Sequence, residues 1–444
     1  MNSLISRSLF YYPATFLKGE PIPFLLKGYT NRQWQDPDRV KDFQLKRLKI
    51  IVDHAFSKSE FYKKSFADHG FHPSDLRKGE DIKLIPTIDK ATLIAARDQL
   101  LTSRLRLFDS NKTTGGSTGQ PVCLAKNPMA LARERCATWR GYEWAGVEVG
   151  DSQLRLWGVP HSETDMLKSR ITDLISNRRR ISAFNLTDES MHQYYELAIQ
   201  FRPSFLYGYV SAIVQFCNFI KRKKLPPLPS VKSVVTTSEV LSDVARKAIE
   251  SILKVKVFNE YGCGEVGSIA HECEHGQMHI MADNLIVETD SEPNEPGEII
   301  VTDLFNVSLP LIRYRLGDYA TLTDELCPCG RTLPVVKKIH GRAYDILVMP
   351  DGRHVHPESA IYIFENIQKQ GAVFSQFQVV QESPTDFKVI IVPGKEYSDR
   401  HRQGIIDEFR KKLDRNVKVD INLVENIARE ASGKMRVVKR NFQN

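Results

Sequence analysis

The sequence predicts an α/β protein with a large multi-layer N-terminal domain, a β-rich subdomain within it and a small α+β domain at the C-terminal end. Three observations predict this architecture. Short apolar runs alternate with helical patterns from about residue 150 to 260, which is typical of a sheet covered by helices. The chain turns β-rich after about Gln277, and its composition shifts near His340, leaving a last segment long enough for its own domain. We therefore expect domains at residues 1–339 and 340–444.

The first 110 residues or so are predicted to be mostly helical. Apolar residues follow helical spacing in Lys41–His54, and again from Pro128 through Trp139. The segment Met1–Lys18 mixes apolar and polar residues and has no small-residue cleavage site, so we do not interpret it as a signal peptide. We expect it to pack on the main body, with weak contact to a membrane surface as the alternative.

The layered part shows four clear strand patterns and three clear helix patterns. The strands are predicted at Ser152–Val159, Ser204–Gly208, Val231–Thr236 and Lys256–Asn259, and the helices at His192–Gln200, Ser211–Lys221 and Ser242–Leu253. Strands of the β-rich part are predicted at His279–Met281, Asn284–Thr289, Glu298–Asp303 and Ala320–Thr323. The C-terminal domain is predicted to have strands at Phe377–Gln381, Phe387–Pro393 and Lys418–Leu423 and a helix at Arg400–Leu413.

Composition excludes several classes of protein. With 41% hydrophobic and 26% charged residues, the 444-residue chain has the balance of a globular protein. No apolar run approaches the roughly 18 residues of an integral membrane segment. Much of the net charge of +8 comes from Arg178–Arg180 and Lys221–Lys224, which we interpret as solvated clusters, with a docking surface for an anionic partner as the alternative. No nucleic-acid motif accompanies them, so no nucleic-acid partner is expected. Seven unevenly spaced cysteines do not form a disulfide framework and favour a cytoplasmic location.

A glycine-rich loop, Thr113–Pro121, is the first candidate functional feature. It holds three glycines and four hydroxyl side chains within nine residues. Backbone N–H groups and hydroxyls in such a loop can bind phosphate oxygens. No Gly-Lys-Ser/Thr sequence ends it, so it is not a Walker loop. Alone it would be a weak signal, because such clusters are more often ordinary loops.

Four further segments carry groups suited to nucleotide chemistry. Two follow predicted strands: Thr237-Ser238-Glu239, and Asn259–Glu265, which brings an aromatic residue, glycines and a carboxylate to a strand end. The third, Arg313–Asp318, ends in Gly-Asp, and the fourth, Ala431–Lys434, places a lysine in a loop near the C-terminus. Each has an ordinary interpretation as a turn or a solvated loop. The segments occur together in this order and with these gaps, which makes the ordinary interpretations improbable for the set as a whole.

Taken together, the motifs resemble those of adenylate-forming ligases of the acyl-CoA synthetase superfamily. The chain is most similar to the phenylacetate–CoA ligase family, including its CapK-like members associated with capsular polysaccharide loci. The resemblance covers nearly the whole chain and includes Phe205–Tyr209, similar to the family's Gly-Tyr-Pro-Ser segment except that Val210 replaces the proline. It implies an adenylate-forming domain followed by a small mobile C-terminal lid domain, and it favours a homodimer.

The resemblance implies which residues bind ATP. The β- and γ-phosphates would be held by the loop residues Thr114, Gly115, Gly116, Ser117, Thr118 and Gly119. The nucleoside would be bound by Ser238 and Glu239 beside the adenine, Tyr261 and Gly262 near its ring, and Asp318 at the ribose hydroxyls. Arg342 would lie at the junction between the domains.

Two groups would be catalytic by the same resemblance: Glu265, which would bind Mg²⁺, and Lys434, which would reach into the site from the lid. A carboxylate that attacks the α-phosphate brings two anions together, and these cations would offset the repulsion in the transition state. No protein nucleophile is needed. The implied reaction forms an acyl-adenylate, releases pyrophosphate and passes the acyl group to a thiol, most plausibly coenzyme A. Lid rotation would admit the acceptor after the first step.

Other acceptors and one other class of function stay open. The acceptor could be an amine or a carrier-protein thiol, and the protein could instead be a non-catalytic nucleotide-binding scaffold in polysaccharide or secondary-metabolite biosynthesis. Retention of both Glu265 and Lys434 argues against the scaffold. Gln120 stands where many relatives have lysine, a change that carries little weight because the role of that lysine varies. Tyr344 stands where many relatives have an acidic hinge residue, so the second-step conformation could differ. Adenylation is therefore a firmer expectation than thioester formation.

The substrate is expected to be a small carboxylic acid, aryl or of medium chain length. The family places the acid near a set of mostly aromatic residues, namely Trp139, Tyr142, Tyr207, Gly208 and Tyr209. Most aromatic clusters of this kind are core. The lone histidines His161 and His271 receive no role beyond surface or core.

A cysteine constellation predicts a structural Zn²⁺ site. Cys273-x-His275 and Cys327-Pro-Cys329 supply three thiols and an imidazole, which suit tetrahedral coordination. His279 competes with His275 as the fourth ligand, and Cys263 is a more remote candidate. The alternative is ordinary buried cysteines in a reducing compartment. The ion would stabilise the β-rich subdomain and take no part in the reaction.

Overall fold

A computed structural model of the chain describes residues 1–102, 109–113, 123–158, 163–183, 186–342, 347–355, 358–368, 373–428 and 436–442. The chain divides into two units. The first comprises Met1–Leu316 with Ala320–Lys338, and the second Gly317–Tyr319 with Ile339–Asn444.

The N-terminal region is helical, as predicted. It contains α1 (Ser3–Ile5), a π-helical segment (Ser6–Tyr11), α2 (Tyr12–Leu17), α3 (Ile22–Arg32), α4 (Pro37–Lys58), α5 (Glu60–Asp68), α6 (Lys90–Ala95), α7 (Arg97–Leu100), and 3₁₀ turns at Pro73–Asp75 and Gly79–Leu84. The longest helix, α4, begins at Pro37 after Asp36, whose carboxylate accepts the N–H of Asp38. Its buried face joins one hydrophobic cluster with the β-rich part.

The first residues pack only partly on the main body. Tyr11 is buried and its hydroxyl accepts a hydrogen bond of 2.9 Å from the indole N–H of Trp139. Leu9, Phe16 and Leu17 point outward, with exposed fractions of 67%, 59% and 78%. Within the residues that the structure describes, no helix has both the length and the apolar character needed to cross a bilayer.

The central part is a layered sheet with helices on both faces. A hairpin, β1 (Ser110–Thr113) and β2 (Cys123–Lys126), leads into the layer. Its strands are β3 (Gln153–Trp157), β4 (Arg178–Ser182), β5 (Phe205–Tyr209), β6 (Ser233–Thr237) and β7 (Lys256–Cys263), and its helices are α8 (Pro128–Trp144), α9 (Glu163–Ile175), α10 (Asp188–Phe201), α11 (Val210–Arg222) and α12 (Asp243–Leu253). The pairs β3–β4, β3–β5, β5–β6 and β6–β7 are all parallel.

Successive residues of these strands point to opposite faces of the sheet, and each face packs against different helices. Leu154, Leu206 and Val234 belong to the cluster shared with α10, α11 and α12. Phe205 and Val235 belong to a second cluster, with residues of α8. Both faces of this half are covered, which explains why its strands have nearly continuous apolar runs. Each fully buried large side chain contributes roughly 1.5–3 kcal/mol.

The same sheet continues into an antiparallel half. Its further strands are β8 (Gly267–Glu272), β9 (Met278–Ile280), β10 (Leu285–Thr289), β11 (Pro296–Asp303), β12 (Tyr314–Thr323) and β13 (Val335–Arg342). The order across the sheet is β10-β11-β12-β13-β9-β8-β7-β6-β5-β3-β4. The pairs β7–β8, β8–β9, β9–β13 and β10–β11 are antiparallel. The predicted β-rich subdomain is this half.

The C-terminal unit has a sheet of its own. Its elements are β14 (Leu347–Val348), β15 (His354–Val355), α13 (Glu358–Gln368), β16 (Phe374–Gln381), β17 (Asp386–Pro393), α14 (Asp399–Lys412), β18 (Lys418–Leu423) and β19 (Val438–Arg440). The main sheet has the order β18-β17-β16-β19. Its buried cluster includes Phe364, Phe387 and Phe409, which are fully or almost fully buried. The predicted fold class, α/β with a separate small α+β unit, is confirmed.

Candidate active site

Three of the predicted segments lie at the carboxyl ends of neighbouring parallel strands. Tyr209 and Thr237 end β5 and β6, and Glu260 is the last residue of β7 that pairs in parallel, so the three are cross-strand partners. Ser238 and Glu239 follow β6 directly, and Tyr261 comes next along β7. Ligands of open α/β sheets bind at this edge. The fold therefore brings these segments together at one edge, which we call the strand-end rim (residues 209, 237–239 and 260–265).

Ser238 has a backbone conformation that non-glycine residues rarely adopt. Its φ is +69°, in the left-handed region, which costs a residue with a side chain about 1–2 kcal/mol. Such residues persist where their surroundings fix them, and they cluster at ligand sites. The strained turn directs the chain away from β6 at the position where adenine contact was predicted.

The Glu239 carboxylate is bound to the start of α11. It accepts the backbone N–H of Ser211 at 2.6 Å and the Ser211 hydroxyl at 2.9 Å. A carboxylate in the first turn of a helix is stabilised by the unpaired N–H groups and by the helix dipole. Glu239 therefore joins the end of β6 to the β5–α11 junction, a structural role that the motif did not predict.

The segment Tyr261–Glu265 forms the end of β7 and the turn into β8. Tyr261 is half-buried and packs against the hydrophobic cluster of the first unit. Glu265 is half-buried within the turn. Gly262 is required by close packing, because a Cβ there would lie 2.5 Å from the carbonyl oxygen of Gly267. The hairpin thus holds an aromatic ring and a carboxylate four residues apart at the rim.

Several predicted residues cannot be placed at this rim. Thr114–Gly119 and Lys434 lie outside the described residues, as do Gln120 and Tyr344. Asp318 lies within β12, and the backbone of Arg342 ends β13. Their roles stay predictions.

Trp139, Tyr142 and Tyr207 of the predicted aromatic set lie between α8 and the sheet. Tyr209 instead belongs to the cluster of α10, α11 and α12. The Tyr142 ring of α8 is 5.9 Å from that of Tyr207 on β5 and 5.5 Å from that of Trp139. Tyr209 stacks on Trp157 with 4.3 Å between ring centroids. Gly208, between Tyr207 and Tyr209 in β5, has no room for a side chain, because a Cβ there would lie 2.3 Å from the Leu156 carbonyl oxygen.

Beside these rings is a buried polar pair that sequence reasoning missed. Glu260 on β7 and His271 on β8 are direct cross-strand partners, and both are over 90% buried. Burial lowers the pKa of His271, against the opposing effect of the Glu260 charge, so the imidazole is neutral at pH 7. The antiparallel pairing of β8 with β7 creates this contact, and β8 was not predicted.

The predicted cysteines do come together, in the antiparallel half. The Sγ atoms of Cys273, Cys327 and Cys329 and a ring nitrogen of His279 all lie within 4.8 Å of one another. Cys273 and Cys327 have their sulfur atoms 3.7 Å apart, and Cys329 Sγ is 3.2 Å from His279 Nε2. Tetrahedral zinc with bonds of about 2.3 Å to sulfur places two sulfurs about 3.8 Å apart. The four residues, hereafter the Cys₃His cluster, have both the donors and the spacing for that ion.

The surroundings of the Cys₃His cluster orient its ligand atoms. His279 Nδ1 is 3.1 Å from the carbonyl oxygen of Leu333, so Nδ1 carries the proton and Nε2 faces Cys329. Burial lowers the pKa of His279 to about 4, which keeps the ring neutral and able to bind metal. The backbone N–H of Arg331 donates to Cys329 Sγ at 3.5 Å.

The structure corrects the choice of histidine. His275 was predicted as the fourth ligand, but it is exposed in the turn after Cys273 and is not part of the cluster. The turn closes with the Gly276 N–H on the Cys273 carbonyl, and the chain returns as β9 with His279 pointing to the thiols. Proximity to Cys273 in the sequence favoured His275, whereas strand pairing places His279 beside the thiols.

Comparisons with known proteins agree with the motif resemblance. Residues 347–441 match the family model of the CapK C-terminal domain. Protein CapK of Staphylococcus aureus is 23% identical over 437 residues, which is 95% of each chain. A phenylacetate–coenzyme A ligase of Thermus thermophilus is 27% identical over 348 residues, covering 72% of this chain and 74% of the relative.

A solved structure shares the fold. A 2-hydroxyisobutyryl-CoA ligase, determined in complex with an acyl-AMP in the postadenylation state, matches with a TM-score of 0.75 at 17% identity, covering 92% of this chain and 91% of that chain. Together with the named relatives, it confirms the resemblance of this chain to the adenylate-forming ligases of the phenylacetate–CoA ligase and CapK-like group.

Proposed function

We propose that the protein is an ATP-dependent carboxylate ligase that forms an acyl-adenylate and releases pyrophosphate. The observation that carries the proposal is the strand-end rim. The Ser238 turn follows β6, and Tyr261 and Glu265 lie at and just beyond the end of the adjacent parallel strand β7, in a fold shared with CoA ligases. Relatives named as phenylacetate–coenzyme A ligases support the same reaction class.

In this proposal the rim and the glycine-rich loop bind the nucleotide. Loop residues 114–119 hold the β- and γ-phosphates through backbone N–H groups and hydroxyls. Ser238, Tyr261 and Gly262 bind the adenine side, and Asp318 binds the ribose hydroxyls. The carboxylate of Glu239 is committed to α11, so its contribution to adenine binding comes through its position next to Ser238.

Charge compensation is the main catalytic requirement, since the substrate carboxylate and the α-phosphate are both anionic. Lys434 brings a positive charge to the developing transition state. Glu265 offers one carboxylate for Mg²⁺, which suits an ion that keeps several waters and few protein ligands. The bound ion would supply electrostatic stabilisation of the phosphates.

The acyl acceptor is proposed to be coenzyme A. The structural relative is named as a CoA ligase and has been solved with coenzyme A in its thioesterification state. An amine or a carrier-protein thiol is the alternative, and one relative, an indoleacetate–lysine synthetase of Pseudomonas savastanoi, bears a name of the amide-forming type. A role in capsular polysaccharide or secondary-metabolite biosynthesis and a homodimer stay proposals by resemblance.

The Cys₃His cluster is proposed to bind a structural Zn²⁺. Three thiols and a neutral imidazole with these separations fit the ion. Such a site has no open position, so it would stabilise the antiparallel half and leave the reaction to the rim.

Pyrophosphate exchange tests the function. The purified protein is incubated with ATP, Mg²⁺, labelled pyrophosphate and each acid of a panel of aryl, hydroxy and short-chain carboxylic acids. Acid-dependent exchange is expected with at least one acid. Tight ATP binding without exchange by any acid would contradict the proposal and favour the nucleotide-binding scaffold.

A further inference from the structure

Glu260 and His271 are polar side chains buried between α8 and the sheet, where a polar atom without a hydrogen-bond partner is unfavourable. One carboxylate oxygen of Glu260, Oε1, accepts the Ser268 hydroxyl at 2.6 Å and is 3.7 Å from His271 Nε2. In the part of the chain that the structure describes, Glu260 Oε2 and His271 Nε2 have no hydrogen-bond partner. A buried polar atom without a partner keeps its full desolvation penalty. Such atoms in a native fold call for a physical reason, and a ligand is one.

The pair is held rigidly against α8. Gly141 of that helix has no room for a side chain, because a Cβ would lie 2.3 Å from the imidazole Cγ of His271. The Ser268 hydroxyl also contacts the Thr138 hydroxyl of α8 at 2.8 Å. Both polar groups are therefore fixed by the helix and the sheet, as a binding site requires.

Aromatic and cationic groups surround the same point. Burial, followed by the charge of Glu260, raises the pKa of Tyr207 and of Tyr142, so both phenols stay protonated. The Arg155 guanidinium lies 4.6 Å from the ring centroids of both Trp157 and Tyr207. The Tyr207 hydroxyl also donates a hydrogen bond to the Glu260 carboxylate. An apolar acyl chain would contact the rings here but would leave Glu260 Oε2 and His271 Nε2 unpaired.

The location suits the acyl chain of a substrate activated at the rim. Glu260 is adjacent to Tyr261 in β7, and it lies in the last row of parallel pairing, opposite Thr237. One residue advances a strand by about 3.3 Å. If the carboxylate is activated beside Tyr261, a substituent a few bonds away would lie at about the distance of the Glu260 row.

We propose that Glu260 and His271 bind a hydrogen-bond-donating group, a hydroxyl or an amine, on the acyl chain of the acid substrate. The inference rests on the proposed function. Glu260 is then a specificity-determining residue, and the preferred acid is a hydroxy or amino acid derivative and not a plain hydrocarbon acid. Sites built to bind a substrate hydroxyl reject the analogue that lacks it by large factors, because their buried polar groups are left unpaired.

Matched acids test this preference. Exchange is measured with phenylacetate and its 3-hydroxy, 4-hydroxy and 4-amino derivatives, and with isobutyrate and its 2-hydroxy and 2-amino derivatives. In at least one series, the substituted acid is expected to exceed its parent by about 100-fold or more in kcat/KM. In Glu260→Leu that ratio should fall to within tenfold. Glu260→Gln keeps an oxygen acceptor without the charge, so it should retain preference for a hydroxyl and lose preference for an amine.

Glu272→Gln is the matched control. Glu272 is equally buried and adjacent to His271 in β8, but its carboxylate is bound to Arg246 and to the Asn259 N–H. This variant should keep the wild-type ratio. Melting curves establish that each variant is folded, and Glu260→Met, which also removes the acceptor oxygens, provides the test if Glu260→Leu is not.

The outcomes separate the two proposals. A wild type that exchanges with acids but does not favour any substituted member would overturn the inference and leave the ligase function standing. An unchanged ratio in folded Glu260→Leu, or an unchanged preference for an amine in Glu260→Gln, would overturn it as well. Exchange with no acid at all would refute the function, and the inference with it.

Discussion

The two halves of the central sheet place their polar groups in opposite ways. In the parallel half, the groups proposed for chemistry come at strand ends, where Ser238 is strained and Glu265 sits in a turn. In the antiparallel half, Cys273, Cys329 and His279 point at one another and are held by backbone contacts. The parallel half has these groups along one edge of the sheet, whereas the antiparallel half brings its groups together around a single point.

Strand direction accounts for the difference. Parallel strands bring all their carboxyl ends to one edge, so loops that follow different strands converge there. Antiparallel strands return within a few residues, so side chains of β9 and of the turns beside it meet in the interior. We infer that the rim contributes to rate and the Cys₃His cluster to stability. Variants of the two groups test that division.

Loss of the cluster should have the largest effect, and on stability alone. Cys327→Ser removes one of the three thiols proposed to bind Zn²⁺ in a buried site, and the loss of a structural metal is among the most destabilising changes known. We expect the free energy of unfolding to fall by about 4 kcal/mol or more. Denaturant unfolding and metal analysis measure it.

The control for this variant is Cys217→Ser, at a buried cysteine far from the cluster in sequence and packed in the α10–α12 layer. It should keep full zinc content. Substoichiometric zinc in the wild type, with no shift of melting temperature on chelation, would refute the metal site.

Loss of Lys434 should have the next largest effect, and on rate alone. Lys434→Ala removes the positive charge proposed for the transition state, and removal of one such group typically costs about 10²–10³ in rate. Acid-dependent pyrophosphate exchange should fall by that factor while the melting temperature stays unchanged. Lys395→Ala, at an exposed position of the same unit, should exchange like the wild type. Wild-type exchange in the Lys434 variant would refute its assigned role.

The two histidines near the cysteines give a sharper test of the antiparallel half. His279→Ala should weaken zinc binding by at least about 100-fold. Loss of a group that only orients a ligand costs up to about 100-fold, and loss of the ligand itself should cost at least as much. His275→Ala should leave zinc affinity unchanged, because that side chain is exposed and outside the cluster. Competition with a chromophoric chelator measures both affinities. Equal losses would mean that the cluster rearranges to bind either ring.

The sequence was most informative where the chain is locally regular. The buried runs of β5 and β6 and the amphipathic helices α11 and α12 were predicted within a few residues, because each is determined by its own pattern. The strand β8 and the helix α13 were not predicted. Tertiary packing determines these segments, and their patterns are too short or too mixed to identify alone.

The site was predictable in its parts and not in its contacts. The motifs located Ser238, Tyr261 and Glu265, and the Cys pairs located the cluster. Only strand pairing shows that His279 supplies the imidazole and that Glu260 meets His271. Both results depend on the register of β8, which no local signal in the sequence specifies.

A change at Glu239 should have the smallest effect. It is the finest test of the division between rate and stability, because this rim residue makes a structural contact with Ser211 of α11. Glu239→Gln keeps an oxygen for the Ser211 N–H but loses the charge at the start of α11. Charges at helix N-termini contribute about 0.3–1 kcal/mol, so unfolding should become easier by about that much, as denaturant titration would measure. The KM for ATP in pyrophosphate exchange should stay within threefold of the wild type. A tenfold rise in KM with unchanged stability would mean that the carboxylate itself binds the nucleotide. Glu239 would then have a ligand-binding role, and its contact with Ser211 would not contribute to stability.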